Sequence, residues 1–150
     1  MVSPAHPTPS DLTPRRALTR RAAFELPAIA SSVREARDQA RMLLDEWGFS
    51  ADVGDDVLLV VSELVTNVIT HTSSQWVLFR LYADGRRVRV EVEDQDQREA
   101  VPERQAPDLY SQCGRGLVLV DALAHEWGVT SATRGPGHLV WAELRPDGPP

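Results

Sequence analysis

A chain of 150 residues with 42% hydrophobic and 25% charged content has room for one domain around a single core. Its net charge of −6 and pI of about 5.2 argue against a nucleic-acid binder, which carries a basic patch or stripe, and no apolar run reaches the length of a membrane span. All 16 basic residues are arginine, which excludes a P-loop, the strand lysine of the protein-kinase fold and Schiff-base chemistry. The lone cysteine, Cys113, makes neither an internal disulfide nor, by itself, a metal site, and the N-terminus lacks the charged-then-apolar order of a signal peptide. These features together predict a cytoplasmic protein.

Residues 1–22 hold Pro4, Pro7, Pro9 and Pro14 with no apolar periodicity and read as a disordered tail. Ala23 to Leu26 is a short strand closed by Pro27. From Ser31 or Ser32, a suitable N-cap, Val33, Ala36, Ala40, Leu43, Leu44 and Trp47 trace an amphipathic helix that Gly48 terminates. Phe49 to Gly54 reads as a connector. The stretch Asp55 to His71 then places Val57, Leu58, Val61, Leu64, Val65, Val68 and Ile69 at helical spacing, giving one buried face.

Gln75 to Ala83 and Arg87 to Asp94 alternate apolar residues on either side of Asp84-Gly85, a hairpin signal. The other face of that hairpin carries Arg80, Arg87, Arg89, Glu91 and Glu93 and is expected to meet solvent. Residues 95–113 break every periodicity, as a functional or a disordered loop does. Gly114-Arg-Gly116 opens a helix running to about Glu126, with Leu117, Val120, Leu123 and Ala124 inward. Trp127 to Ala132 and His138 to Leu144 form a second hairpin, and 145–150 is a polar tail. The order is strand, helix, helix, strand, strand, loop, helix, strand, strand. That is an α+β pattern: a two-layer sandwich with a mixed, mostly antiparallel sheet and helices on one face.

Four features carry candidate chemistry. Glu63 and Asn67 lie one turn apart on the same helix face, and asparagine is a poor mid-helix residue. Asp94 ends a strand, where a carboxylate can accept from a buried donor; the plainer use of such an Asp is to start a turn. The 95–113 loop has the length of a lid. Gly114, Arg115 and Gly116 stand at a helix start, whose free N–H groups and dipole favour an anion. Arg98 and Arg104 in the loop read as solvated surface.

In this order the four resemble the ATP-binding domain shared by histidine kinases, DNA gyrase, Hsp90-type chaperones and mismatch-repair ATPases. The nearest likeness is to its small branch, the anti-sigma-factor serine/threonine kinases. Glu63-Leu-Val-Thr-Asn67 resembles that family's N-box, Asp94 the aspartate of its G1 box and Gly114-Arg-Gly116 its G2 box, across residues 23–144. The resemblance implies ATP and Mg²⁺ as cofactors, with Asn67 on the metal and Glu63 as general base. It gives Asp94 to the adenine amino group, Gly114, Arg115 and Gly116 to the phosphates, and 95–113 to an ATP lid. It implies a sigma factor and a small antagonist protein as partners, and homodimer formation as an option this branch uses. Two positions depart from the pattern. Asp94 is followed by Gln95, Asp96, Gln97 and Arg98, where the family has two glycines, and Gly137 by His138, where it often has Thr. The alternative is therefore a catalytically silent module with a degenerate nucleotide site, acting by protein contact. No helix pair bearing a phospho-acceptor histidine precedes the domain, which argues against a histidine kinase fragment.

Overall fold

The computed structural model describes residues 19–95 and 115–145. In chain order the elements are β1 (Arg20–Pro27), α1 (Ser31–Glu46), α2 (Ala51–His71), β2 (Trp76–Ala83), β3 (Val88–Glu93), α3 (Arg115–Leu123), β4 (Glu126–Ser131) and β5 (His138–Leu144). The five strands form one sheet in the order β1-β2-β3-β5-β4. Every neighbouring pair is antiparallel. This is the α+β architecture expected, with an antiparallel rather than mixed sheet.

The expected N-cap of α1 is not one, because Ala30 holds that place without a side-chain bond. Instead the Ser32 hydroxyl donates to the Pro27 carbonyl at 2.5 Å and stitches the helix entry to the end of β1. The exit follows the reading closely. Gly48, at φ +84, donates to Asp45 O and Phe49 N–H donates to Leu44 O, the paired bonds of a Schellman motif. Buried Ala36 and Ala40 give α1 a flat face on which α2 can pack.

The second helix begins four residues earlier than the sequence pattern predicts, at Ala51 rather than Asp55. Ser50, in extended conformation, accepts the Val53 N–H at 3.3 Å and caps the orphan first turn, and Asp52 meets the positive end of the helix dipole. Over 21 residues α2 buries Val57, Leu58, Val60, Val61, Leu64, Val65 and Val68. So many β-branched residues disfavour a helix in isolation, so burial against α1, α3 and the sheet is what holds it.

Side chains alternate across the sheet. Phe79, Leu81, Val88, Val90, Val92, Val129, Val140, Ala142 and Leu144 join α1, α2 and α3 in one core. The opposite face corrects an expectation. Arg89, Glu91 and Glu93, predicted to meet solvent, are only 4%, 0% and 3% exposed. Their charges are matched within the face: Arg80 reaches Glu93 at 2.5 Å and Glu91 at 3.5 Å, and Arg89 reaches Glu91 at 2.8 Å. The Arg89 guanidinium also lies 4.6 Å from the centre of the buried Trp141 ring. Strand alternation shows which side chains share a face, but cross-strand register decides whether their charges meet.

Strand β1 begins at Arg20, three residues before the expected Ala23, and pairs with β2 along its whole length. The last helix stops at Leu123 instead of reaching Glu126. His125 thus falls beyond the helix end, where its N–H donates to Glu143 O at 2.7 Å.

Candidate functional site

The end of β3 holds the first of the residues that the sequence singled out. Asp94 follows β3 and is 1% exposed. The Asp94 N–H donates to His138 O at 2.9 Å, and Asp94 Oδ1 accepts the His138 N–H at 3.0 Å. The imidazole Nδ1 of His138 stands 3.7 Å from the same oxygen. Gly137, at φ +127, lies so close that a Cβ there would sit 2.2 Å from Asp94 O and 3.1 Å from Oδ1. Asp94 is thus no simple turn-starter. Its carboxylate is held in one orientation by the opening of the last strand.

The C-terminal part of α2 comes to this same end. Thr72 Oγ1 donates to Val68 O at 2.6 Å and accepts from the Ser74 hydroxyl at 2.9 Å, and Ser74 Oγ in turn accepts the Gln95 N–H at 2.9 Å. The chain leaving Asp94 is thereby tied to the turn that leaves α2. Asn67, just over one turn before the end of α2, is 3% exposed, and its Nδ2 has no hydrogen-bond partner among the described residues. A buried N–H donor of this kind is costly to leave unpaired unless an acceptor completes it. Glu63 stands one turn earlier on the same face and is half-buried.

The third element arrives by topology. After α3 the chain enters β4 at Glu126, which pairs with Glu143 at the far end of the sheet. Helix α3 therefore hands the chain on to the end of the sheet opposite Asp94. Its buried Leu117 and Val120 face the core, and the Trp127 Nε1–H donates to Asp121 at 2.9 Å. Arg115 and Gly116 are its first two residues, at the helix start that the sequence predicts. Gly114, Cys113, Arg98, Arg104 and the rest of the expected lid lie outside the described residues.

At this end Ser74 and Glu93 escaped the sequence reading as parts of a site, and so did the contact that Gly137 makes. The packing of Gly137 on Asp94 has a faint signal in the second glycine of Thr133-Arg-Gly-Pro-Gly137. Ser74 had none. Glu93, read as a solvent-facing carboxylate, instead accepts the Thr133 N–H at 2.8 Å and its hydroxyl at 2.9 Å, and pairs with Arg80. Burial pushes the Glu93 carboxyl up, but Arg80 and the two Thr133 donors outweigh it and hold the group below the usual carboxylate range.

The profile of the histidine kinase-like ATPase domain matches residues 26–143, most of the chain. The chain belongs to that family. An ATPase domain of this kind implies ATP binding. No curated protein matches the chain. Among solved structures it is similar to the RsbU and RsbW domains of Rv1364c from Mycobacterium tuberculosis, at 24% identity and a TM-score of 0.61. That likeness covers 85% of this chain and 32% of the other, so the chain spans about a third of that protein's length. At this identity the likeness is one of fold. Among the described residues no helix is long and apolar enough to cross a membrane.

Proposed function

We propose that this ATPase-family domain binds ATP with Mg²⁺ and transfers the terminal phosphoryl group to a serine or threonine of a small antagonist protein. We further propose that it holds a sigma factor when not so engaged, as the resemblance of its motifs to the anti-sigma-factor branch implies. The observation that carries the nucleotide part is the buried Asp94 carboxylate, fixed by Gly137 and His138 beside a helix bearing the unpartnered amide of Asn67.

The residues present fit the ligand. Asp94 offers an oriented acceptor to an exocyclic amine, and a carboxylate already fixed and desolvated gains more from a further donor than one in water. The Asn67 amide oxygen would go to a hard cation that otherwise takes phosphate and water oxygens, and its unpaired Nδ2, a donor that no cation satisfies, would suit a phosphate oxygen. When bound, Mg²⁺ neutralises phosphate charge. Gly114, Arg115 and Gly116 belong to the phosphate end, where free N–H groups of the helix start meet an anion.

In the transfer, the acceptor hydroxyl oxygen forms a bond to the γ-phosphorus, the bond to the β,γ-bridging oxygen breaks, and ADP leaves. Glu63 takes the hydroxyl proton and orients the nucleophile. A silent binding module is the second reading, and Gln95 favours it. Gln95 stands next to the position where the family has its first glycine. Its N–H is anchored to Ser74, and its Oε1 is buried without a partner among the described residues.

Calorimetry of ATP with Mg²⁺ against wild type, Asp94→Asn and Asn67→Ala separates the readings. The proposal expects binding that Asp94→Asn abolishes and that Asn67→Ala makes insensitive to the metal. Glu63→Gln should keep ATP affinity and lose phosphoryl transfer to a serine-bearing partner. No heat at millimolar ATP with folded protein would sink the nucleotide reading and leave a protein-contact module.

A further inference from the structure

Glu93 and Asp94 are consecutive, so strand alternation sends their side chains to opposite faces of the sheet. Asp94 faces the helix layer and the candidate site, whereas Glu93 faces away, among Arg80 and Glu91. On that far face Glu93 makes the densest set of bonds near the site. Its Oε2 pairs with Arg80 Nη1 at 2.5 Å and accepts the Thr133 hydroxyl at 2.9 Å. Its Oε1 accepts the Thr133 N–H at 2.8 Å, and Arg80 Nη2 reaches the Thr133 hydroxyl at 3.3 Å.

Thr133 belongs to the loop between β4 and β5, which the Ala132 N–H closes by donating to Gly137 O at 3.1 Å. The same loop delivers Gly137 against Asp94 and the His138 N–H to Asp94 Oδ1. The connection is physical and short. Glu93 fixes Thr133, Thr133 fixes the loop, and the loop fixes the carboxylate that faces the base. A carboxylate free to rotate is a poorer selector than one whose second oxygen is held at a set angle, because selectivity rests on leaving a wrong partner unpaired in a fixed geometry.

We infer that the Arg80–Glu93–Thr133 bridge, on the face of the sheet away from the nucleotide, is the positioning device for base selection by Asp94. The inference rests on the nucleotide reading proposed above and deepens it. Glu93 and Thr133 act as positioning residues and touch no ligand. Their loss leaves the phosphate end intact and loosens the base end alone.

The test compares ATP with inosine triphosphate, which keeps the phosphates and ribose and replaces the exocyclic amine by a carbonyl. Dissociation constants for both are measured by calorimetry on full-length wild type, Thr133→Val, Thr133→Ser and Glu93→Gln, with thermal melts showing which are folded. Thr133→Val removes only the hydroxyl bonds at constant shape. It should weaken ATP about tenfold, a hydrogen bond's worth of discrimination, and leave inosine triphosphate unchanged. Thr133→Ser restores the hydroxyl and should restore the preference, while Glu93→Gln, if folded, should lower it at least as far as Thr133→Val. Unchanged ATP affinity in Thr133→Val, or a parallel fall for both nucleotides, overturns the inference. A wild type that binds ATP and its inosine analogue equally also overturns it, since there is then no selection to position. A folded wild type that binds neither refutes the nucleotide reading itself, and the inference falls with it.

Discussion

Gly137→Ala tests the geometry of the site most directly. The new methyl would sit 2.2 Å from the Asp94 carbonyl oxygen, 2.9 Å from its carbon and 3.1 Å from Oδ1. The first two are backbone atoms, so no side-chain rotation relieves them. The φ of +127° is also outside the range an L side chain readily adopts. Strained backbone of this kind costs on the order of 1–3 kcal/mol, and overpacking a similar amount. The two are not additive, because one outward shift of the loop relieves both, and a loss of about 2–4 kcal/mol is expected. In a domain of this size that corresponds to a fall in Tm on the order of 10 °C. Urea denaturation gives the stability, and ATP titration of the folded variant should show weakened binding, since the same shift pulls the His138 N–H from Asp94. Gly135→Ala is the internal control. Gly135 has φ +65, and a methyl added there would meet nothing within 4 Å, so only backbone strain of about 1 kcal/mol applies and nucleotide affinity should hold. Equal stability losses at the two glycines, or wild-type ATP binding by Gly137→Ala, would refute the account of how Asp94 is held.

Two further perturbations bear on the fold. Ser50→Ala removes the acceptor for the Val53 N–H and should cost about 0.5–1 kcal/mol, with faster amide exchange confined to the first turn of α2; unchanged exchange there would deny the cap. The depressed Glu93 carboxyl stabilises the fold above its ordinary unfolded value of about 4.3 and loses that contribution as pH falls through its lower folded value. Wild type should therefore shed its advantage over Glu93→Gln between neutral pH and the acid side of that range, as read by urea midpoints. Parallel acid losses in the two proteins would show that Glu93 is not responsible.

Much of this is legible in the sequence, for reasons that also mark the limits. The long apolar repeat from Val57 to Val68 announces α2, and burial of those residues on three neighbouring elements matches it. Its start is obscured because Gly54 and three aspartates dilute the pattern, while Ser50, the residue that caps it, sits outside any periodicity. Asp94 is recognisable from its place at a strand end, and Asn67 from its unsuitability for a helix interior. Their surroundings are not. That Gly137 presses on Asp94, or that Thr133 bonds Glu93 across 40 residues, follows from the β3–β5 register, which no local pattern carries. The same gap explains Arg89, Glu91 and Glu93, whose composition suggests water and whose cross-strand pairing permits burial.

The sheet also has a second end, and its neutrality is useful. The Asp84–Arg87 turn closes β2 and β3 opposite to Asp94, held by the Arg86 and Arg87 N–H groups on Asp84 Oδ1 at 2.7 and 2.9 Å. Burial pushes the Asp84 carboxyl up, and these N–H groups with the Arg87 guanidinium more than offset it, keeping the carboxyl below its ordinary range. Gly85 at the tip has open space around it. The six residues of β3 put roughly 20 Å between that tip and Asp94. A surface tether, a fluorophore or a short inserted epitope attached at Gly85 would sit far from Asp94, so that the domain can be immobilised with that end left free.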